Sequence, residues 1–138
     1  MYSRQIKRIT DYIKSGEKNE RDLKLGVEIE HFVVYKDTLK SVSYYGEDGV
    51  ESSLRLLLEK GWNGKYEGNY LLGLEKDDLN ITLEPGSQLE VSILAKAGIN
   101  DIDRSYLNFL DNVLPILENK NQTLVALGYH PQTRINEI

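Results

Sequence analysis

Residues 26–34 read GVEIEHFVV, and how this stretch is read decides the fold. Apolar and β-branched residues dominate it, as in a strand built into a sheet. Successive strand side chains point to opposite faces. Val27, Ile29, His31 and Val33 therefore share one side, and Glu28, Glu30 and Phe32 the other. One side is fit for a core, while the other projects two carboxylates together. A sheet with one covered and one open face follows, and antiparallel sheets tolerate that arrangement.

The flanking sequence supplies the rest of an α+β domain. Upstream, Ile6, Ile9 and Ile13 recur at helical spacing within Ser3–Ser15, with Gly16 as a stop. Downstream, a weak strand is expected over Thr38–Val42. In 49–61, GVESSLRLLLEKG places Val50, Leu54, Leu57 and Leu58 on one helical stripe. From Trp62 to Ile93, glycines punctuate short apolar runs in the manner of an antiparallel meander. Asn100 or Asp101 is placed to cap a long helix reaching Asn119. Its expected buried face is Ile102, Leu107, Leu110, Val113, Leu114 and Leu117, with a kink or break at Pro115. A last strand is predicted over Thr123–Gly128. The expected architecture is α+β: a mainly antiparallel sheet of about five or six strands, an N-terminal helix, and two further helices on one face.

Composition narrows the chemistry. The 138 residues are the length of one domain, and no internal repeat or composition shift marks a boundary within 1–138. The net charge of -5 and the scattered basic residues argue against a nucleic-acid surface. No cysteine is present and histidine occurs only at 31 and 130, so a thiolate zinc site is excluded and any metal should be a hard, oxygen-ligated one. No run of apolar residues is long enough to cross a bilayer, and the N-terminal residues are too charged for a secretory leader. A cytoplasmic address without membrane partners is the expectation.

The acidic pattern recurs in NITLEPGSQLEVSI, residues 80–93. Thr82 and Glu84 lie on one face; after Pro85-Gly86, Gln88, Glu90 and Ser92 do the same. Neither this segment nor 25–34 carries a lysine or arginine. Should the strands be neighbours, each carboxylate contact near 4 Å costs on the order of 4 kcal/mol at an effective dielectric of 20. Magnesium or manganese held by Glu28, Glu30, Glu84 and Glu90 would offset that cost and suit phosphoryl transfer. The same alternation also describes solvent-facing glutamates on half-buried strands. A glycosidase acid–base pair is the less suitable reading, because it needs two carboxyl groups in unlike surroundings.

Two of these stretches resemble a known family. GVEIEHF and ITLEPGSQLEVS are similar to G-T-E-H-E-K-F and I-T-L-E-P-G-G-Q-F-E-L-S in the N-terminal part of the plant and proteobacterial type of glutamate–cysteine ligase. Leu83, Glu84, Pro85, Gly86, Gln88, Glu90 and Ser92 match the second run, while Ser87, Leu89 and Val91 depart from it. Gly26, Glu28, Glu30 and Phe32 match the first, with Ile29 and His31 as departures. LGYHPQ, residues 127–132, resembles the segment after the family's long helix. The resemblance implies a glutamine-synthetase-like carboxylate–amine ligase fold, of which this chain is an N-terminal piece. It also implies a funnel in which Glu28, Glu30, Glu84 and Glu90 hold magnesium and Gln88 adjoins substrate. The implied reaction consumes ATP to phosphorylate the γ-carboxylate of glutamate, and the amine of cysteine then attacks the acyl phosphate. A ligase using another amine, and a non-catalytic cation-binding module of the same fold, are the alternatives. An open sheet face makes self-association an expectation too.

Other residues have plainer readings. His31 faces away from the glutamates and is expected in the core. His130 precedes Pro131 in a turn or extended setting, and Arg134 is a solvated loop charge or a phosphate contact. Trp62, Tyr66 and Tyr70 are either packing residues or an aromatic wall for adenine.

Overall fold

The computed structural model describes residues 2–137. Its sheet grows around β1 (Leu25–Tyr35), the strand containing the opening stretch. Four further strands form the expected meander: β2 (Asn63–Glu67), β3 (Tyr70–Lys76), β4 (Leu79–Glu84) and β5 (Gln88–Lys96). β6 (Gln122–Val125) completes a six-stranded sheet in the order β2-β3-β4-β5-β1-β6, with every neighbouring pair antiparallel.

Two helices cover one face. In α2 (Val50–Glu59), Val50, Leu54 and Leu57 are buried, and the helix packs on β3. The longer α3 (Ile99–Glu118) lies across β5, β1 and β6 and touches α2. Between the helices and the sheet sit Val33, Leu74, Ile81, Leu89, Val91 and Ile93, the apolar halves of the alternating strands. The β3–β4 turn is tied to α3 through Asp78, which accepts from Lys96 Nζ at 2.5 Å and Ser105 Oγ at 2.6 Å. Those two donors hold the Asp78 carboxyl below its ordinary range.

Several expectations need correction. Thr38–Val42 is not a strand; it makes one bridge, Val34 to Ser41, on the edge of β1 that β5 has left. Leu39 adopts a φ of 56°, which takes the chain out of the extended region before a ladder can form. The buried face of α3 is Ile102, Ser105, Phe109, Val113, Ile116 and Leu117, whereas Leu107 is exposed. Ser105 and Phe109 continue the three-and-four spacing from Ile102 that Leu107 interrupts. Gly98, not Asn100 or Asp101, precedes the first helical residue. The helix also runs unbroken past Pro115 to Glu118. Pro115 forgoes the one bond that its missing N–H would make to the Asp111 carbonyl, and the helix ends three residues later. Finally, the closing strand ends at Val125 rather than Gly128.

The N-terminal helix, α1 (Tyr2–Ser15), forms over nearly the span expected, yet none of its residues is buried. A 3-10 turn at Glu20–Asp22 connects it to β1.

Candidate functional site

The uncovered face of the sheet carries all four glutamates, and strand register decides which of them meet. β1 and β5 are direct neighbours, with Glu30 opposite Glu90 and Glu28 opposite Ser92. β5 and β4 set Glu90 opposite Thr82 and Gln88 opposite Glu84. Side chains directly opposite in an antiparallel pair have Cβ atoms about 4.5–5.5 Å apart, and diagonal neighbours are about 7–8 Å apart. Glu30 and Glu90 therefore form the close pair. Glu28 lies one step along β1, and Glu84 is diagonal to Glu90 across β4.

The hydrogen bonds around this pair all come from neutral groups. Gln88 Nε2 donates to Glu30 Oε2 at 2.5 Å. The hydroxyls of Thr82 and Ser92 donate to Glu90 Oε1 at 3.1 and 3.2 Å. Glu30 Oε1 and Glu90 Oε2 have no such donor among the described contacts. Like charges directly opposite are destabilising in a sheet, so this arrangement costs stability unless a cation joins it.

A lysine from a more distant segment also reaches this face. Lys65 on β2 pairs with Glu75 at 3.1 Å and donates to Asn80 Oδ1 at 2.5 Å. The meander brings Lys65, Gly73, Thr82, Glu90 and Glu30 into one row across five strands. Gly73 has a packing reason to be glycine, since a Cβ there would lie 2.6 Å from the carbonyl oxygen of Ile81. The row flanks a groove of about 960 Å³ lined in part by Glu28, Lys65, Glu75, Asn80 and Ser92. A smaller groove of about 480 Å³ is bordered by Lys65, Gly73, Thr82, Glu84 and Glu90. Sequence reading missed Lys65 because its distance from the glutamates depends on strand order, which no local pattern encodes.

The oxygen-only donor set suits a hard divalent ion. Among the described residues, however, no three aspartate, glutamate or histidine side chains converge closely enough to hold an ion by themselves. The fit is to a partial site: Glu30 and Glu90 could share one ion whose remaining positions go to water and substrate oxygen, the coordination magnesium favours.

At the Pro85-Gly86-Ser87 turn, Gly86 and Ser87 have φ values of 79° and 59°. Ser87 is thus a non-glycine residue in the left-handed region, at a place where the similar family run has glycine. A Cβ there costs about 1–2 kcal/mol, and part of that gain returns as glycine's greater unfolded-state entropy. Ser87→Gly is expected to raise stability by about 0.5–1 kcal/mol, read as a higher urea midpoint at unchanged slope. A lower midpoint would contradict this account of the turn.

The remaining candidates divide clearly. His31 is 2% exposed, with Nε2 2.8 Å from the Tyr106 hydroxyl and Nδ1 3.3 Å from the Leu89 carbonyl. It is a core residue under the sheet, as its parity indicated, and burial lowers its pKa from 6.5. His130 Nδ1 accepts from the backbone N–H groups of Gln132 and Thr133, and its ring stands edge-on to Phe32. Trp62 is buried in the core and so drops out of any aromatic wall. Tyr70 packs near Tyr44, whose hydroxyl donates to the Leu71 carbonyl. Arg134 is exposed.

Comparison with known proteins supplies the family. The model of glutamate-cysteine ligase family 2 (GCS2) matches residues 24–138. Glutamate–cysteine ligase A, chloroplastic, of Oryza sativa subsp. japonica is 27% identical over 128 residues, covering 92% of this chain and 25% of the relative. The chloroplastic glutamate–cysteine ligases of Brassica juncea and Arabidopsis thaliana are likewise 27% identical over 128 residues, covering 92% of this chain and 24% of each relative. The chain thus spans about a quarter of the length of these curated relatives. Their chloroplastic names overturn the cytoplasmic address expected above. That expectation rested on the lack of an apolar leader, and the composition of a folded domain does not report the compartment in which it works. With the family model spanning residues 24–138, from just before β1 through the glutamate-bearing strands, the chain belongs to glutamate–cysteine ligase family 2.

Proposed function

We propose that the open sheet face is part of the active-site wall of an ATP- and magnesium-dependent ligase that joins the γ-carboxylate of glutamate to the amine of cysteine. The observation that carries this reading is Glu30 opposite Glu90 on the uncovered face, inside a chain of this family. In the proposed site Glu30 and Glu90 hold magnesium or manganese, with Glu28 and Glu84 at its margins. An ion bound there supplies positive charge against the phosphoryl oxygens as ATP activates the glutamate carboxylate.

The chain's own residues have positioning roles in this reading. Gln88 orients Glu30 through its amide, and the Thr82 and Ser92 hydroxyls orient Glu90. The other oxygen of each carboxylate accepts no hydrogen bond among the described residues. The acidic face favours the amine end of a substrate, and Lys65 offers a contact for an anionic end. The amine then attacks the activated carbonyl carbon, and the acyl–oxygen bond breaks to release phosphate.

Such a wall does not by itself make an enzyme. Phosphoryl transfer needs several cations around the nucleotide phosphates, and Lys65 is the lysine whose contacts lie on this face. The purified 138-residue chain is accordingly expected to release no ADP above background when supplied with ATP, magnesium, glutamate and cysteine. Glutamate- and cysteine-dependent ADP release at ordinary ligase rates, on the order of 1 s⁻¹ or more, would overturn this division of the site.

A further inference from the structure

The groove of about 960 Å³ on the uncovered face lies one two-residue step along the strands from Glu30 and Glu90. Across its floor run Glu28, Ser92, Asn80 and Glu75, on β1, β5, β4 and β3 in turn. The two ends of this row differ in chemistry.

At the β4 end, Lys65 reaches in from β2. Its ammonium has three N–H donors, of which Glu75 Oε2 at 3.1 Å and Asn80 Oδ1 at 2.5 Å take two. Because Asn80 turns its oxygen to the lysine, its Nδ2 group is left as a further donor, without an acceptor among the described residues. The third Lys65 N–H and the Asn80 amide thus form a donor pair, the complement of a carboxylate. At the β1 end the polarity reverses. Glu28 is exposed and accepts no hydrogen bond among the described residues. Ser92 gives its hydroxyl proton to Glu90 and keeps its oxygen lone pairs. An ammonium group suits that end.

Spacing then selects the ligand. Neighbouring strands are about 4.8 Å apart, so Glu28 and Asn80, with β5 between them, stand roughly 9.5 Å apart. An α-amino-acid head measures about 3.5 Å from its nitrogen to the farther carboxylate oxygen. With a hydrogen bond of about 2.9 Å at each end it spans about 9 Å. A simple carboxylate or a simple amine fills one end only. Along the strands, the step to Glu30 and Glu90 is roughly 6.8 Å, and two methylenes carry a γ-carboxylate about 5 Å from Cα towards it.

We propose that this row binds the α-amino-acid head of the carboxylate substrate. Lys65 and Asn80 take the α-carboxylate, Glu28 and Ser92 take the ammonium, and the side chain runs along the strands to present its γ-carboxylate beside Glu30 and Glu90. Within the ligase reading above, on which this assignment rests, Lys65 and Glu28 select glutamate over carboxylates that lack either charge of its head.

Amide NMR titration of the purified chain in magnesium-containing buffer tests this, with L-glutamate, glutarate and γ-aminobutyrate as probes. L-Glutamate is expected to shift the Asn80 and Ser92 amides saturably. Glutarate lacks the ammonium and γ-aminobutyrate lacks the α-carboxylate, so each forfeits charge-assisted hydrogen bonds and should bind at least about tenfold more weakly. Lys65→Met should abolish the preference for L-glutamate over γ-aminobutyrate and keep that over glutarate, whereas Glu28→Gln should do the reverse. Lys65 is exposed and its ion pair lies at the surface, so Lys65→Met should retain the wild-type thermal midpoint. No saturable shift up to about 50 mM L-glutamate would overturn the proposal, as would equal affinity for the three probes or unaltered preferences in both variants. Manganese binding through Glu30 and Glu90 is read separately on the same chain. If it persists while glutamate binding fails, the head-group site falls alone; if it fails as well, the ligase reading falls with it.

Discussion

Replacing Phe109 by alanine is expected to cost about 3–5 kcal/mol of folding stability. Phe109 is fully buried in the middle of α3, with its ring 5.5 Å from that of His31 and 6.0 Å from that of Tyr106. It thus joins α3 to the underside of β1, directly beneath the strand that carries Glu28 and Glu30. Loss of the ring removes buried apolar area and leaves a cavity, and close-packed neighbours collapse only partly into such a space. Urea unfolding should show a midpoint lowered in proportion, with the slope unchanged. Because domains of this size have only about 5–15 kcal/mol in total, the variant stands near the threshold of folding. A loss below about 1 kcal/mol would mean that α3 is not packed on the sheet through this residue.

The second large effect is sensitivity to mild acid. The His31 imidazole lies between β1 and α3, facing the Tyr106 hydroxyl, the Leu89 carbonyl and the Phe109 ring, and burial depresses its pKa below 6.5. No carboxylate is among those contacts to stabilise a charged imidazolium. Below pH 6.5 the unfolded chain binds a proton that the folded chain refuses, so stability is fully present above that pH and falls as pH decreases. The slope is at most about 1.4 kcal/mol per pH unit for one such group, and it ends where folded His31 is itself protonated. His130, also lowered by burial, adds in the same direction. Asp78 acts separately at lower pH, since its depressed pKa stabilises the fold above 3.8 and that contribution is lost as the carboxylate protonates. His31→Gln should flatten the change between pH 7 and 5 while leaving the more acidic loss in place. An unchanged pH profile in that variant would remove His31 from the explanation.

These effects show which features were readable in the linear chain. The alternation of Val27, Ile29, His31 and Val33 against Glu28 and Glu30 was legible because a strand's period of two is a local property. The stripes of α1 and α2 were legible for the same reason. Leu107 was misassigned because a run of leucines drew the helical stripe away from Ser105, a small polar residue that the core accepts. The strand expected at Thr38–Val42 failed at a single residue, Leu39, whose backbone turns left-handed. At the candidate site, each strand announced its own acidic face. The meeting of Glu30 with Glu90 depends on β1 lying next to β5, and the place of Lys65 in the same row, three strands from Glu90, depends on the order and register of the meander. Those are long-range facts, and only the assembled sheet contains them.

The claim on which the functional account rests is that Glu30 and Glu90 jointly hold a divalent cation. Manganese titration of the purified chain, followed by the loss of the free-ion electron paramagnetic resonance signal, measures it directly. Glu30→Gln/Glu90→Gln keeps side-chain size while removing both charges, and Glu118→Gln, an exposed acid on α3, serves as the control. The account predicts that the paired substitution weakens manganese binding at least tenfold, about 1.4 kcal/mol, and that the control leaves it unchanged. Equal manganese binding by the wild type and the double variant would contradict it.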